Sequence, residues 1–188
     1  QEDLVCNPTS VYAATKLANE NYVKAFHNQN RITGIILRFV ANVGPGVTHG
    51  LLHDIIKKLE SDKEKLELLG ESPGSTKPYI HVSDTVDAMI WAYKSHIGYG
   101  EMTDVCTTYN VSAGPTPLSV YRVAQLAMEE LGIRKPIHFL GESFNWYGDN
   151  RYVYSYSDKI ERAGWRARYT PTDAIRLAVR QYKEQKIA

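Results

Sequence analysis

The chain has 188 residues, of which 43% are hydrophobic and 23% charged, a composition ordinary for a globular domain or for one domain and part of another. Its 22 lysines and arginines balance 21 aspartates and glutamates, so no basic surface argues for a nucleic-acid partner. No apolar run approaches the roughly 18 residues that a membrane span needs, so no membrane association is expected. Two distant cysteines, Cys6 and Cys106, fit reduced thiols in a cytoplasmic protein better than a disulfide.

The first predicted elements are a helix over residues 10–30 and a strand over residues 33–40. In the helix, apolar residues recur with the 3.6-residue period, and Pro8 and Ser10 supply start signals. The strand is apolar except for Arg38, which favours a parallel strand buried on both faces. A helix followed by such a strand is half of a βαβ unit, so the fold class is α/β.

Further along the chain, the pattern alternates between amphipathic helices and short apolar strands. Ser83 or Asp84 is expected to cap the helix that ends near residue 96, and Asp158 with Glu161 fits a capping box. The remaining predicted helices lie near residues 51–61, 120–131 and after 171, and the remaining strands at residues 66–69, 79–82 and 107–112.

Tyr12 and Lys16 are four residues apart in the first predicted helix, so they share one face a turn apart. A nearby cation favours the phenolate form of a phenol. A tyrosine tuned in this way can act as a general acid or base toward a sugar or alcohol hydroxyl. Any helix of this length also offers such polar pairs without chemistry, so the pair alone leaves both interpretations open.

Three other patterns are interpreted as structural. The glycines of residues 44–50 mimic a dinucleotide-binding turn, but Pro45 removes an N–H where the loop would donate to phosphate. His49 and His53 have the spacing of a metal-binding pair but lack a third ligand, so no metal site is predicted. Arg38, within an apolar strand, is expected to have a buried carboxylate or carbonyl partner.

The order of the motifs is more informative than any one of them. The motifs are Pro8-x-x-x-Tyr12-x-x-x-Lys16; Arg38 with Asn42 and Gly44-Pro45-Gly46; Tyr79-Ile80-His81-Val82-Ser83-Asp84 followed by Ala88; Tyr109-Asn110-Val111-Ser112-Ala113-Gly114; Gly148-Asp149; Ser157-Asp158-Lys159; and Ala163-Gly164-Trp165. From residue 8 to about 182 this series resembles the extended short-chain dehydrogenases/reductases, specifically the NAD-dependent epimerase/dehydratase family that acts on nucleotide sugars.

The resemblance implies the C-terminal part of a Rossmann-like parallel sheet plus a small mixed α/β substrate-binding domain. Residues 1–44 and about 77–113 would be the remnant of the NAD-binding Rossmann domain. Residues from about 45 to 76 and from 114 to 188 would form the nucleotide-sugar domain. The glycine-rich turn that holds the cofactor would precede residue 1, with on the order of 100 further residues, because the chain begins inside a βαβ unit.

The same resemblance implies roles for individual residues. Tyr12 would be the catalytic acid or base, and Lys16 would bind the nicotinamide ribose and favour the phenolate. Contacts to the cofactor, NAD or alternatively NADP, would come from Tyr12, Lys16, Phe39 and Val40. Contacts to the substrate, a nucleoside-diphosphate sugar, would come from Asn42, Lys77 and Trp146.

Three positions depart from the family pattern. The substrate-contacting asparagine usually stands three residues after the strand arginine, where this chain has Ala41 followed by Asn42. Because strand side chains alternate faces, the shift would turn the amide away unless the chain bulges. Lys77 replaces an arginine, which keeps the charge but loses the bidentate fork. Trp146 replaces a second phosphate-binding arginine, and an indole stacks on a base or sugar instead.

We therefore expect part of an NAD-dependent nucleotide-sugar epimerase that is a homodimer at full length. Tyr12 would take the proton of the sugar C4 hydroxyl while NAD oxidises that carbon, and the isolated 188-residue chain is expected to be inactive. A dehydratase or reductase of the same family is the close alternative. A non-catalytic module that binds a sugar nucleotide is the alternative from another class.

Overall fold

The computed structural model describes residues 2–98, 104–141 and 150–187, and the fold within these ranges is α/β. Each predicted element is present. The helices are α1 (Val11–Asn30), α2 (Leu51–Glu60), α3 (Val82–His96), α4 (Val120–Leu131), α5 (Asp158–Arg162) and α6 (Pro171–Ile187). The strands are β1 (Gly34–Phe39), β2 (Ala41–Val43), β3 (Leu66–Leu68), β4 (Thr76–Lys77), β5 (Tyr79–His81), β6 (Cys106–Val111), β7 (Leu118–Ser119) and β8 (Ile137–Phe139). None of the helices in the described ranges is both long and apolar enough to cross a membrane.

Side-chain caps explain where two of the helices begin. The hydroxyl oxygen of Ser10 accepts a hydrogen bond from the Ala13 amide at 3.1 Å, and that of Ser119 accepts one from the Arg122 amide at 3.2 Å. Each bond satisfies a backbone donor that has no partner inside its helix. Gly132 ends α4 in the left-handed region, with φ of 70°. The predicted start and end of α4 are confirmed.

The predicted cap of α3 is wrong. The ring nitrogen Nδ1 of His81 accepts from the Ser83 amide at 3.2 Å and thereby caps the helix. Asp84 is instead buried, and its carboxylate accepts hydrogen bonds from the Arg168 amide and guanidinium at 3.0 and 2.9 Å. The capping box predicted for α5 is also absent, because Asp158 already lies inside the helix, and the preceding Ser157 makes no side-chain cap.

The chain passes from one pair of strands to another at Val40. Strand β1 pairs in parallel with β6, ending with Phe39 opposite Val111. Strand β2 pairs in parallel with β5, beginning with Ala41 opposite Tyr79. Strands β3 and β8 form a further parallel pair, and β4 pairs antiparallel with β7. One residue therefore separates two stretches of strand that have different neighbours.

Burial of β1 is lower than its apolar sequence predicts. Only Gly34 and Ile36 of this strand are buried, and among the described residues its single strand neighbour is β6. Helix α1, which packs beside β1, contains no buried residue. The pairing with β6 confirms the predicted parallel strand, whereas burial on both faces requires neighbours and covering layers on each side of it.

Two hydrophobic clusters form the core. The larger joins α2, β3, α4 and α6 and is built around Ile55, Leu59, Leu66, Leu126, Ile175 and Val179. The smaller lies against β6 and α3 and consists of Ile80, Ala88, Tyr109, Val111, Ile160 and Trp165. Strand β2 contributes Val43 to the larger cluster, whereas Val40, three residues earlier, packs against the smaller cluster.

Candidate active site

Tyr12 and Lys16 lie on the same face of the first turns of α1, as their spacing predicts. The ammonium nitrogen of Lys16 is 5.3 Å from the centroid of the Tyr12 ring. This separation is within the range of a cation–π contact. The Tyr12 side chain is 68% exposed, so its phenol is open to a molecule arriving from solvent. The arrangement therefore places the phenol of Tyr12, which can exchange a proton, beside the positive charge of the Lys16 ammonium.

The position of this pair relative to the sheet follows from Glu20 and Arg38. Glu20 contacts Arg38, the penultimate residue of β1. Tyr12 lies two helical turns before Glu20, or about 12 Å along the axis. Because α1 returns into β1 through a short turn, Tyr12 lies toward the carboxyl end of the strand. Ligands of parallel α/β sheets bind outside the carboxyl ends of the strands.

Phe39 and Val40 stand at the same end of β1. Phe39 is 38% exposed, and its partner in the register is Val111, the last residue of β6. Val40 is partly buried against the smaller core cluster. Both predicted cofactor-contacting residues therefore lie at the carboxyl edge, where the neighbouring strand also ends.

The predicted partner of Arg38 is present. Its Nε and Nη2 atoms donate to the two carboxylate oxygens of Glu20, each at 2.7 Å. The hydrogen bond from Arg38 lowers the pKa of Glu20, and the same bond raises the pKa of Arg38. Bidentate pairing of this kind fixes direction as well as distance. The pair attaches α1 to the end of β1.

A second group of predicted site residues surrounds a cavity of about 750 Å³. Asn42 of β2 and Lys77 of β4 both line it, together with the start of α2 and Tyr182 of α6. Tyr12 and Lys16 are not among the described lining residues. The structure therefore arranges the predicted residues in two groups, one at the carboxyl edge of β1 and one around the cavity.

The amide of Asn42 faces α3. Its oxygen accepts a hydrogen bond from the Thr85 hydroxyl, and its nitrogen donates to the Val40 carbonyl at 3.1 Å. Ala41 and Val43, on the other face of β2, pack against the larger core cluster. The alternation expected from the sequence therefore holds within β2, although the strand break at Val40 precedes it.

Lys77 contributes positive charge to the cavity wall. It lies in β4 opposite Leu118 of β7.

Trp146, the third predicted substrate contact, lies outside the described residues. His49 and His53 also line the cavity, next to the start of α2. No cluster of three or more metal-binding side chains occurs in residues 2–98, 104–141 and 150–187.

Sequence reasoning missed two residues that support the site. Glu20 follows Lys16 by four residues, so helical spacing places it on the same face of α1 as Tyr12 and Lys16, although that spacing does not identify Arg38 as its partner. Thr85 is buried in the first turn of α3, and its contact with Asn42 joins residues 43 positions apart. No local signal reports such a contact.

Comparison with known proteins agrees with this architecture. The sequence profile of the NAD dependent epimerase/dehydratase family matches residues 1–112. The chain belongs to the NAD-dependent epimerase/dehydratase family. It is 26% identical over 187 residues to dTDP-D-glucose 4,6-dehydratase of Homo sapiens, an alignment that covers 94% of this chain and 49% of the human protein. The chain spans about half the length of the curated relatives it matches.

Solved structures of similar fold include epimerases and a dehydratase. A UDP-galactose 4-epimerase superposes with a TM-score of 0.83 at 27% identity, covering 98% of this chain and 57% of that one. The dTDP-glucose 4,6-dehydratase of Bacillus anthracis, in complex with NAD, has a TM-score of 0.81 at 20% identity and covers 100% and 56%. The UDP-glucose 4-epimerase of Thermus thermophilus, in complex with NAD, has a TM-score of 0.81 at 20% identity and covers 97% and 57%. The fold is therefore Rossmann-like.

Proposed function

We propose that this chain is part of a nicotinamide-dependent nucleotide-sugar epimerase in which Tyr12 exchanges a proton with the C4 hydroxyl of a nucleoside-diphosphate hexose. The observation that supports this most directly is the ammonium of Lys16 at 5.3 Å from the Tyr12 ring, at the carboxyl edge of a parallel sheet. Family membership and the UDP-galactose 4-epimerase neighbour support the same reaction class.

The residues at the carboxyl edge fit a nicotinamide nucleotide, NAD in this proposal. An exposed phenol and an ammonium are suited to the hydroxyls of a ribose, and Phe39 offers an exposed ring at the end of β1. The cofactor, when bound, supplies the transient oxidation of C4. Lys16 stabilises the phenolate form of Tyr12, which accepts the hydroxyl proton to become the neutral phenol and later returns that proton. Val40, which packs against the smaller core cluster, is the other proposed cofactor contact at this edge.

The cavity supplies the proposed sugar-nucleotide site. Lys77 places a positive charge on its wall, and a diphosphate is the anion that this charge would bind. Asn42 and Trp146 complete the proposed substrate contacts. Similar proteins are named for dTDP- or UDP-linked sugars, which supports a nucleoside-diphosphate sugar as the substrate class. We also propose the division in which residues 1–44 and about 77–113 form the cofactor part.

A dehydratase is the second candidate, because the human dTDP-D-glucose 4,6-dehydratase aligns with 94% of this chain. Both reactions begin with oxidation at C4, so the acid/base role of Tyr12 serves either. The products differ by one molecule of water, which mass spectrometry of the sugar nucleotide resolves. An unchanged mass with inverted C4 supports the epimerase.

The experiment compares Tyr12→Phe with Tyr22→Phe in the full-length polypeptide that contains this chain. Tyr22 is a matched control, because it lies on the same helix and is 65% exposed. We expect Tyr12→Phe to abolish turnover of UDP- or dTDP-hexose and to leave NAD affinity by calorimetry nearly intact. Turnover retained in Tyr12→Phe would overturn the assignment. Sugar-nucleotide binding without turnover in the unsubstituted protein would instead identify a non-catalytic module.

A further inference from the structure

We propose that Arg38 is a positioning residue for the Tyr12–Lys16 pair and that it acts through Glu20. Both carboxylate oxygens of Glu20 accept hydrogen bonds from the Arg38 guanidinium at 2.7 Å. The two side chains are 23% and 15% exposed for Arg38 and Glu20, so solvent screens this pair less than an open surface pair. The contact joins the middle of α1 to the end of β1.

The spacing along α1 links this contact to the catalytic pair. Tyr12, Lys16 and Glu20 stand at i, i+4 and i+8, so they form one stripe along the helix. No residue of α1 is buried. Hydrogen bonds and ion pairs of its side chains, here called side-chain ties, therefore help to fix the rotation of the helix about its own axis. Another tie lies near the far end of the helix, where His27 contacts the Ile32 carbonyl at 2.7 Å. The Glu20–Arg38 tie is nearer to Lys16.

The charges give this tie a second effect. A lysine and a glutamate four residues apart on a helix attract each other, and Lys16 and Glu20 have that spacing. With both oxygens bound to Arg38, Glu20 does not compete for the ammonium of Lys16. That ammonium remains beside the Tyr12 ring. Without Arg38, the freed carboxylate would draw Lys16 away from the phenol.

The claim that Lys16 must stay beside the Tyr12 ring for turnover rests on the proposed function. The claim that Arg38 keeps Lys16 there does not. The position of Lys16 is measurable without any substrate. The ring current of Tyr12 shifts the NMR signals of the Lys16 side-chain protons upfield as long as the lysine stays beside the ring. Loss of turnover in Tyr12→Phe and displacement of Lys16 are therefore separate results.

The test measures this upfield shift in four proteins: the unsubstituted chain, Arg38→Met, the double variant Arg38→Met with Glu20→Gln, and Arg31→Met. A fifth variant, Tyr12→Leu, removes the aromatic ring and assigns the shift to it. We expect Arg38→Met to lose most of the shift and the double variant to regain it, because the neutral amide no longer attracts Lys16. Arg31→Met removes an arginine paired with Asp104 at the other end of α1 and should change nothing.

An unchanged shift in Arg38→Met overturns the proposal, and so does a loss that Glu20→Gln fails to restore. The first result would show that Glu20 turns elsewhere, for example toward Lys24. The second would show that Arg38 acts only by holding the helix in place. If Arg38→Met does not fold, Arg38→Lys replaces it. A single ammonium cannot hold both oxygens in the bidentate geometry, so we expect a partial loss of the shift, and no loss would overturn the proposal.

Discussion

The hydroxyl of Thr85, in the first turn of α3, donates a hydrogen bond to the amide oxygen of Asn42 in β2. The bond spans 43 positions of sequence. It connects α3, which contributes Ala88 to the smaller core cluster, to β2, which contributes Val43 to the larger cluster. Thr85 is buried, so its donor has little access to water. The pair therefore connects the two parts of the structure by a polar contact.

Replacing Thr85 with valine tests this contact, because valine keeps the shape and removes the donor. We expect the free energy of unfolding to fall by about 1 kcal/mol, the usual net value of such a bond. In a double-mutant cycle with Asn42→Ala, the two losses should not add, because both remove the same interaction. Urea denaturation of the four proteins measures the coupling. Fully additive losses would contradict the importance of the bond.

Lys77 should control affinity for the diphosphate of a nucleotide sugar. We expect Lys77→Met to weaken binding of UDP about tenfold, the size of a lost charge-assisted hydrogen bond, and to leave uridine binding unchanged. Lys77→Arg should bind UDP at least as tightly as the unsubstituted chain. Lys57→Met, which removes an exposed lysine from α2, is the matched control. Isothermal titration calorimetry checks each variant, and equal losses for UDP and uridine would exclude phosphate recognition.

The long elements were predictable from sequence, because their periodicity extends over several turns or strand steps. Helix α4, with its serine cap and its closing Gly132, matches the prediction at both ends. Strands β4 and β7 were not predicted, since two residues each are too few to show a period. The cap of α3 was mispredicted because His81 is not among the residues that usually cap helices.

For the candidate site, the sequence predicted local relationships better than distant ones. The approach of Lys16 to Tyr12 follows from helical geometry alone. The partner of Arg38 was predicted only as some carboxylate or carbonyl. Glu20 lies on the same face of α1 as Tyr12 and Lys16, but helical spacing alone does not pair it with Arg38. The bond between Thr85 and Asn42 depends on how α3 packs beside β2. Contacts of that kind arise from tertiary packing and leave no mark in the periodicity of either segment.

Gly74 should tolerate no larger residue. Its φ is 80°, and a Cβ atom there would lie 2.6 Å from the Cβ of Val120. Gly46 is the matched control, because its φ is 81° and the described structure has no atom within 4 Å of the added carbon. We expect Gly46→Ala to cost about 1 kcal/mol of unfolding free energy from backbone strain. Gly74→Ala should cost about 2 kcal/mol more through the clash.

Thermal and urea denaturation measure both glycine variants. Equal stability losses would show that the loop beside Val120 moves without cost. A larger loss for Gly74→Ala confirms that this loop packs closely against the start of α4.

Glu130 should make stability depend on pH in the acid range. Hydrogen bonds from Arg180 and Arg176 lower its pKa from 4.5 to about 2. A group whose pKa is lower in the folded state stabilises the fold above its unfolded pKa. This stability should be lost as the pH falls from about 4.5 to about 2. Because the arginines are partly exposed, we expect a contribution of about 1 kcal/mol.

The variant Glu130→Gln should lower the melting temperature at pH 7 and have little effect near pH 2. Glu64→Gln is the control, because Glu64 is exposed and makes no hydrogen bond among the residues that the structure covers. Scanning calorimetry across that pH range measures both proteins. A melting-temperature difference that does not shrink on acidification would assign the loss to packing instead of charge.

The single residue between β1 and β2 has an evolutionary consequence. Since alternate side chains of β2 face opposite layers, inserting or deleting one residue at Val40 would exchange the faces of Ala41 and Asn42. The small methyl group and the amide would trade surroundings without any amino acid being replaced. A one-codon change in length at this junction is therefore a short route by which a lineage could alter the side-chain chemistry around the candidate site.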